Sequence, residues 1–193
     1  MSFFRKGLVI AAAVLVIDQI VKTLMLFGVF DVGSVADAQE LAAAAVQGRP
    51  VSFPSIEILP IFSLSLVWNP GISFGLFPAD SLWTKALLLA FQLGVVAYLL
   101  ISWLPKVTST WSMVGIGLIV GGAIGNVIDR LIYGAVVDFF DFSGLFFPWV
   151  FNPADAAISI GVAALVLDVF LLAREDKKKG DGSAGKKTDV TGE

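Results

Sequence analysis

The chain has 193 residues, 57% of them hydrophobic and 15% charged, with a formal net charge of −3. It has no cysteine and no histidine, which excludes a disulfide framework, a thiol nucleophile, a Cys- or His-ligated metal and a Ser-His-Asp triad. So few polar residues cannot cover a soluble domain of this size, and the long apolar runs point to membrane spans.

The first apolar segment, 7–30, follows Arg5 and Lys6 and is interrupted by Asp18, Gln19 and Lys22. The charges break up the greasy stretch and the apolar pattern continues past them, so it reads as a retained helix and not a cleaved signal peptide. Asp18 and Lys22 stand at i, i+4 and share a face, where they can pair or reach a common neighbour. In the connection 31–81, the alanine-rich run 36–47 reads as a short helix stopped by Gly48 and Pro50. The stretch 55–69 mixes β-branched and aromatic residues in partial alternation and predicts one or two strands. Pro54 and Pro60 make any strand there an edge or a broken one.

The second span, 82–104, carries Lys85, and Lys106 follows in a short loop. The third, 112–133, has Gly121, Gly122 and Gly125 for close helix approach. Asn126 and Asp129 then share a face while Arg130 turns elsewhere; spacing alone fits a polar packing seam as well as a site. Gly134 stops that helix, leaving Asp138 just outside the span, and by spacing Asp141 is as good a candidate. In FNPAD, 151–155, Asn152 is a predicted N-cap, Pro153 the first helical residue and Asp155 a first-turn acid, all ordinary capping chemistry. The fourth span, 154–173, holds Asp168 with nothing obvious beside it, and 175–193 reads as a disordered tail. Trp68, Trp83 and the stretch around Trp149 suggest an aromatic belt at one interface.

Each span is long enough for a bilayer, which needs roughly 20 helical residues. The fold class expected is therefore mainly α: a membrane domain over 1–174 with four transmembrane helices, a small β-rich outer part and a short outer helix. Arg5, Lys6, Lys106, Arg174 and Lys177–Lys179 fall on one side, which marks the cytoplasm and puts both termini there. The connections 31–81 and 134–153 then face outward. With that topology Asp18, Lys22, Asn69, Asn126, Asp129, Asp138, Asn152 and Asp155 gather at one membrane surface. Several acids and amides at one depth, without His or Cys, look like an active site. Two close carboxylates tend to share one proton, so one can take a proton from water while the other donates to a carbonyl. That is aspartic protease chemistry, and it needs no metal or cofactor.

VIDQIVK (16–22), WNPGISFGLF (68–77), GGAIGNVIDR with GAVVDF (121–139) and FNPADAAISIG (151–161) occur in one order across all four spans. In these stretches the chain resembles the bacterial lipoprotein signal peptidases, signal peptidase II. The resemblance implies an inner-membrane aspartyl endopeptidase with its site at the periplasmic face. It implies diacylglyceryl-modified prolipoprotein substrates, cut on the N-terminal side of the lipidated cysteine. It assigns the catalytic pair to Asp138 and Asp155. Asp18, Lys22, Asn69, Gly71, Asn126, Asp129, Arg130, Asn152 and Ala154 match positions that shape or support the site. Asp141 matches none. The resemblance further implies inhibition by peptide-like compounds such as globomycin. The partners expected are substrate and membrane lipid, with no nucleic acid, and the chain is expected to act as a monomer. Departures are Ile72-Ser73 after Asn-x-Gly, Pro153 in the last motif, and a longer connection before Trp68. Two alternatives stand beside it: a small transporter or membrane scaffold, and a protease with Lys22 as base and Ser73 as nucleophile.

Overall fold

The computed structural model describes residues 2–51, 55–71, 81–145 and 149–184, with side chains as far as residue 171. Its elements are helices α1 (Phe3–Thr23), α2 (Val35–Val46), α3 (Leu82–Tyr98), α4 (Thr110–Ile132) and α5 (Pro153–Ala184), and strands β1 (Ile56–Leu59), β2 (Phe62–Asn69), β3 (Val136–Asp141) and β4 (Val150–Phe151). Among the described residues, four helical stretches are long and apolar enough to cross a membrane: Phe3–Val29, Leu82–Lys106, Thr110–Ile132 and Pro153–Leu171. α1 ends in a wide turn, Leu24–Val29, in which Phe30 N–H donates to the Met25 carbonyl at 2.9 Å. A similar wide turn, Leu99–Trp103, closes α3. The backbone stays helical to Ala184, so the stretch expected to be a disordered tail from 175 begins as helix.

α4 is the hub of the bundle. Within its most apolar stretch 72% is buried, against 22, 17 and 28% for the other spans in chain order. Small residues make this possible, because α1 and α5 approach it almost backbone to backbone. A Cβ on Gly121 would lie 2.5 Å from the Ala11 carbonyl oxygen, and one on Gly122 would lie 2.5 Å from that of Ala154. Two stripes of glycine therefore seat two different helices on one.

The strands form one antiparallel sheet in the order β1-β2-β3-β4. β3 is a strand that sequence reasoning missed, having read 134–139 as chain just beyond a helix. One face of the sheet packs a hydrophobic core. Leu66 and Trp68 of β2 and Val137 and Phe139 of β3 pack with Ala38 and Ala42 of α2 and with Met25 and Leu26 at the end of α1. Since side chains alternate along a strand, Asp138 must point to the opposite face, between Val137 and Phe139. Its cross-strand partner is Val67, and Asn69 pairs with Val136 on the same side. Trp68 is buried in this core against Tyr133, with ring centroids 5.6 Å apart. It is therefore no interfacial belt residue, whereas Trp83 and Trp149 are exposed.

Candidate active site

Three elements deliver the polar residues from the helical side. α1 brings Asp18 and Lys22 one turn apart, both buried. α4 brings Asn126, Asp129 and Arg130, and α5 starts at the same level with Asn152 as its N-cap. That start is a reciprocal box: Asp155 N–H donates to Asn152 Oδ1 at 2.9 Å, and Asn152 N–H to Asp155 Oδ2 at 3.3 Å. The sheet brings Asn69 and Asp138.

The deeper layer is ionic. Lys22 Nζ lies 3.0 Å from Asp18 Oδ2 and 2.7 Å from Asp129 Oδ2. Asp18 Oδ1 accepts from Ala154 N–H at 2.9 Å, and Asp129 Oδ2 accepts from Val137 N–H at 3.2 Å. These two carboxylates therefore tie the start of α5 and the start of β3 to one ammonium group. Breaking one partner of such a buried pair is costly, on the order of 3–5 kcal/mol, because the other charge stays uncompensated. Gln19 joins the layer: its Nε2 donates to Asp18, Asp129 and the Gly125 carbonyl at 3.1, 3.1 and 3.3 Å. Sequence reasoning noted Gln19 only as a polar interruption. Its place directly after Asp18, within the turn to Lys22, was the available signal.

The upper layer consists of amides and the two remaining acids. Asn69 Nδ2 donates to Asp138 Oδ2 at 2.9 Å, and Asn152 Nδ2 to Asp138 Oδ1 at 2.6 Å. Asn126 Nδ2 donates to Asp155 Oδ1 at 2.8 Å, and Asn152 Nδ2 reaches Asn126 Oδ1 at 3.2 Å. Asp138 and Asp155 are thus linked through two side-chain amides, although one stands on β3 and the other in the first turn of α5. Gly71 holds Asn69 in place. It follows Pro70 in a left-handed conformation, φ 81°, and its N–H donates to Asn69 Oδ1 at 2.8 Å. A Cβ there would also fall 2.6 Å from Arg130 Nη2, so the guanidinium occupies the space glycine leaves. Arg130 donates through Nη1 to Gln92 Oε1 and to the Asn126 carbonyl, both at 3.3 Å.

The two acids differ in exposure. Asp138 is 1% exposed. Burial, and then the nearby Asp155, push its carboxyl up to about 7, against the opposing pull of the Asn69 and Asn152 donors and of Lys22. Asp155 is half-buried and lines a cavity of about 490 Å³ with Asn69, Trp149, Val150, Phe151, Ala156, Ser159 and Ile160. The wall is largely apolar, and among its described residues Asp155 is the acid. One carboxyl that holds a proton near neutrality, beside one that looks onto an open cavity, can run acid–base chemistry on a substrate lodged there.

Asp141 does not join the cluster. It lies three residues beyond Asp138, an odd step that turns it to the other face of β3, where Ser65 Oγ and Ser143 N–H donate to it at 2.9 Å each. Those bonds hold its carboxyl below the usual range. Asp168 has company after all: Ser109 Oγ donates to it at 2.5 Å, and Ser112 Oγ donates to its other oxygen. Lys22 is 3% exposed and occupied by Asp18, Asp129 and Asn126, while Ser73 lies outside the described residues, as do the rest of 72–80. Among the described residues no group of three or more acids is arranged to hold a metal ion.

The family model for Signal peptidase (SPase) II matches residues 10–171. A lipoprotein signal peptidase from Caulobacter vibrioides is 55% identical over 118 residues, 61% of this chain and 69% of its own. Another, from Nitrobacter hamburgensis, is 43% identical over 176 residues, 89% of this chain and 95% of its own. Among solved structures, a bacterial membrane enzyme determined by the in meso method at 2.3 Å superposes with a TM-score of 0.63 at 21% identity, over 96% of this chain and 94% of the other. A second, at 1.9 Å, gives 0.64 at 23% identity over 84 and 91%. At those identities the structures speak for the fold.

Proposed function

The chain belongs to the signal peptidase II family of membrane proteases, and on that premise we propose that it removes signal peptides from diacylglyceryl-modified prolipoproteins with Asp138 and Asp155 as the catalytic pair. The observation that carries this is the convergence of the two acids. Asp138 from β3 and Asp155 from α5 meet through Asn152 and Asn126, one buried and one on the cavity.

Asp155, facing the cavity, takes a proton from the attacking water. Asp138, which holds its proton near neutral pH, donates to the oxygen of the scissile carbonyl. As the tetrahedral intermediate collapses, the proton gathered by Asp155 passes to the leaving amine and Asp138 recovers its own. The cut falls on the N-terminal side of the lipidated cysteine. Acyl chains anchor that cysteine, each buried CH₂ contributing about 0.8 kcal/mol, so the bond is held at headgroup depth and meets the acids as an intramolecular partner would. The enzyme sits in the cytoplasmic membrane with both termini inside and the site facing out, and works as a monomer. A peptide-like inhibitor such as globomycin would occupy the cavity beside Asp155.

Asp138→Asn and Asp155→Asn test the pair. Each should insert normally and lower cleavage of a synthetic diacylglyceryl-cysteine lipopeptide by about 1,000-fold or more. Turnover within a few-fold of wild type in either variant removes that residue from the mechanism.

A further inference from the structure

Three asparagines point their N–H₂ groups at the two acids, and each orientation has a separate cause. A side-chain amide can turn over, exchanging its donor and acceptor ends at little local cost. A neighbouring donor that can only give a proton decides which end faces it. For Asn69 that donor is Gly71 N–H, at 2.8 Å from Oδ1. For Asn152 it is Asp155 N–H, at 2.9 Å from Oδ1. Both are backbone groups and belong to the fold. Asn126 differs. Its Oδ1 faces Lys22 Nζ at 3.0 Å, and the other donor to that oxygen, Asn152 Nδ2 at 3.2 Å, is shared with Asp138 Oδ1 at 2.6 Å and the Val137 carbonyl at 3.2 Å.

We infer that Lys22 is a positioning residue that acts through Asn126: its ammonium fixes the amide so that N–H₂, and not C=O, meets Asp155. An ammonium group has three donors and no acceptor. Here the three are spent on Asp18 Oδ2, Asp129 Oδ2 and Asn126 Oδ1, so the oxygen of Asn126 must turn to Lys22. The Nδ2 group is then left with Asp155 Oδ1, at 2.8 Å. Reversed, the amide would set its oxygen against a carboxylate oxygen and leave a buried ammonium proton facing N–H₂. The charged groups around this point are Asp18 and Lys22 from α1, Asp129 and Arg130 from α4, Asp138 from β3 and Asp155 from α5. Of the cations, Lys22 is the one bonded to the Asn126 side chain; Arg130 bonds its backbone carbonyl.

The inference rests on Asp138 and Asp155 being the catalytic pair, and its test separates the two. The probe is the full chain in lipid or detergent with a synthetic diacylglyceryl-cysteine lipopeptide. Lys22→Met should lower kcat by about 100-fold, as a misdirected catalytic group does, and change KM by less than about twofold. Asn126→Ala should do the same. The double variant should be no slower than Asn126→Ala alone, because residues acting through one another do not add. Lys22→Gln can still present an N–H to Asn126 Oδ1 and should recover a tenfold or larger part of the loss. To guard against misfolding from the unpaired acids, Lys22→Met is also made with Asp129→Asn, which keeps an acceptor for Val137 N–H. That pair should fold and stay slow. Multiplying effects of Lys22→Met and Asn126→Ala, or a Lys22→Gln enzyme as slow as Lys22→Met, would overturn the positioning role and leave the Asp pair standing. Active Asp138→Asn or Asp155→Asn would instead overturn the pair itself.

Discussion

Asp138 sits under two amide donors with almost no access to water, while Asp155, bonded to a third amide, looks onto a cavity. The same side chain is thereby given two characters by its surroundings. For Asp138 the consequence is visible in pH. Its carboxyl is raised to about 7, chiefly by burial and then by Asp155, so the protonated form that can donate to a carbonyl is present below that value and lost above it. We therefore expect kcat/KM to fall on the alkaline side with a midpoint near 7, by about tenfold per pH unit beyond it. A profile flat to pH 9 would show that no group with this titration is needed. Much of this arrangement could be read from residue types. A chain without His or Cys leaves few groups for acid–base work, and motif spacing singled out Asp18, Lys22, Asn126 and Asp129. The pairing itself could not be read. Asp155 in a first turn looks like capping from sequence, and it is indeed half of a capping box; only its neighbour Asn126 gives it a second set of bonds. Gln92, which holds Arg130, sits in the apolar run of α3 after Lys85 with no pattern to mark it.

At the scale of elements, the start of α5 is seated directly on α4 at Gly122, where an added Cβ would meet the Ala154 carbonyl at 2.5 Å and Ile158 Cγ1 at 3.0 Å. The nearer atom is backbone, so a side chain at 122 must move the helix end itself. That end carries Asn152 and Asp155. Gly122→Ala should therefore insert and stay helical by circular dichroism, yet lose activity about 10-fold or more, the usual cost of a sub-ångström to ångström misplacement of a catalytic group. Wild-type turnover in this variant would mean that the register of α4 and α5 does not hold the acid. The helices were legible because hydropathy over about 20 residues is a strong signal. Strand β3 was not. In VVDFFD, Val136 and Phe140 on the acid-bearing face are as apolar as Val137 and Phe139 on the core face. The alternation that marks a half-buried strand is erased, because this strand is covered on both sides. The error on Trp68 has the same origin: a tryptophan expected at the interface was instead taken into the core that α2 closes over the sheet.

For the whole molecule, the proposed orientation puts α2 and the sheet outside and the α3–α4 loop inside. The absence of native cysteine makes this simple to check with single introduced thiols at exposed positions. Gln47→Cys should react with a membrane-impermeant maleimide in spheroplasts, and Thr108→Cys only after lysis. The reverse pattern would invert the topology and put the cavity on the wrong side for exported substrates. The burial of α4 has a consequence of its own. A membrane that thickens or thins acts on helices with lipid-facing surface, which respond by tilting. α1 and α3 have such surface, and each ends in a wide turn that gives it slack. The central helix has little, and Asn126 and Asp129 hang from it. The height of the proposed catalytic acids above the midplane would thus be set by protein touching protein, like a mark cut on a post, while lipid composition raises or lowers the substrate against it.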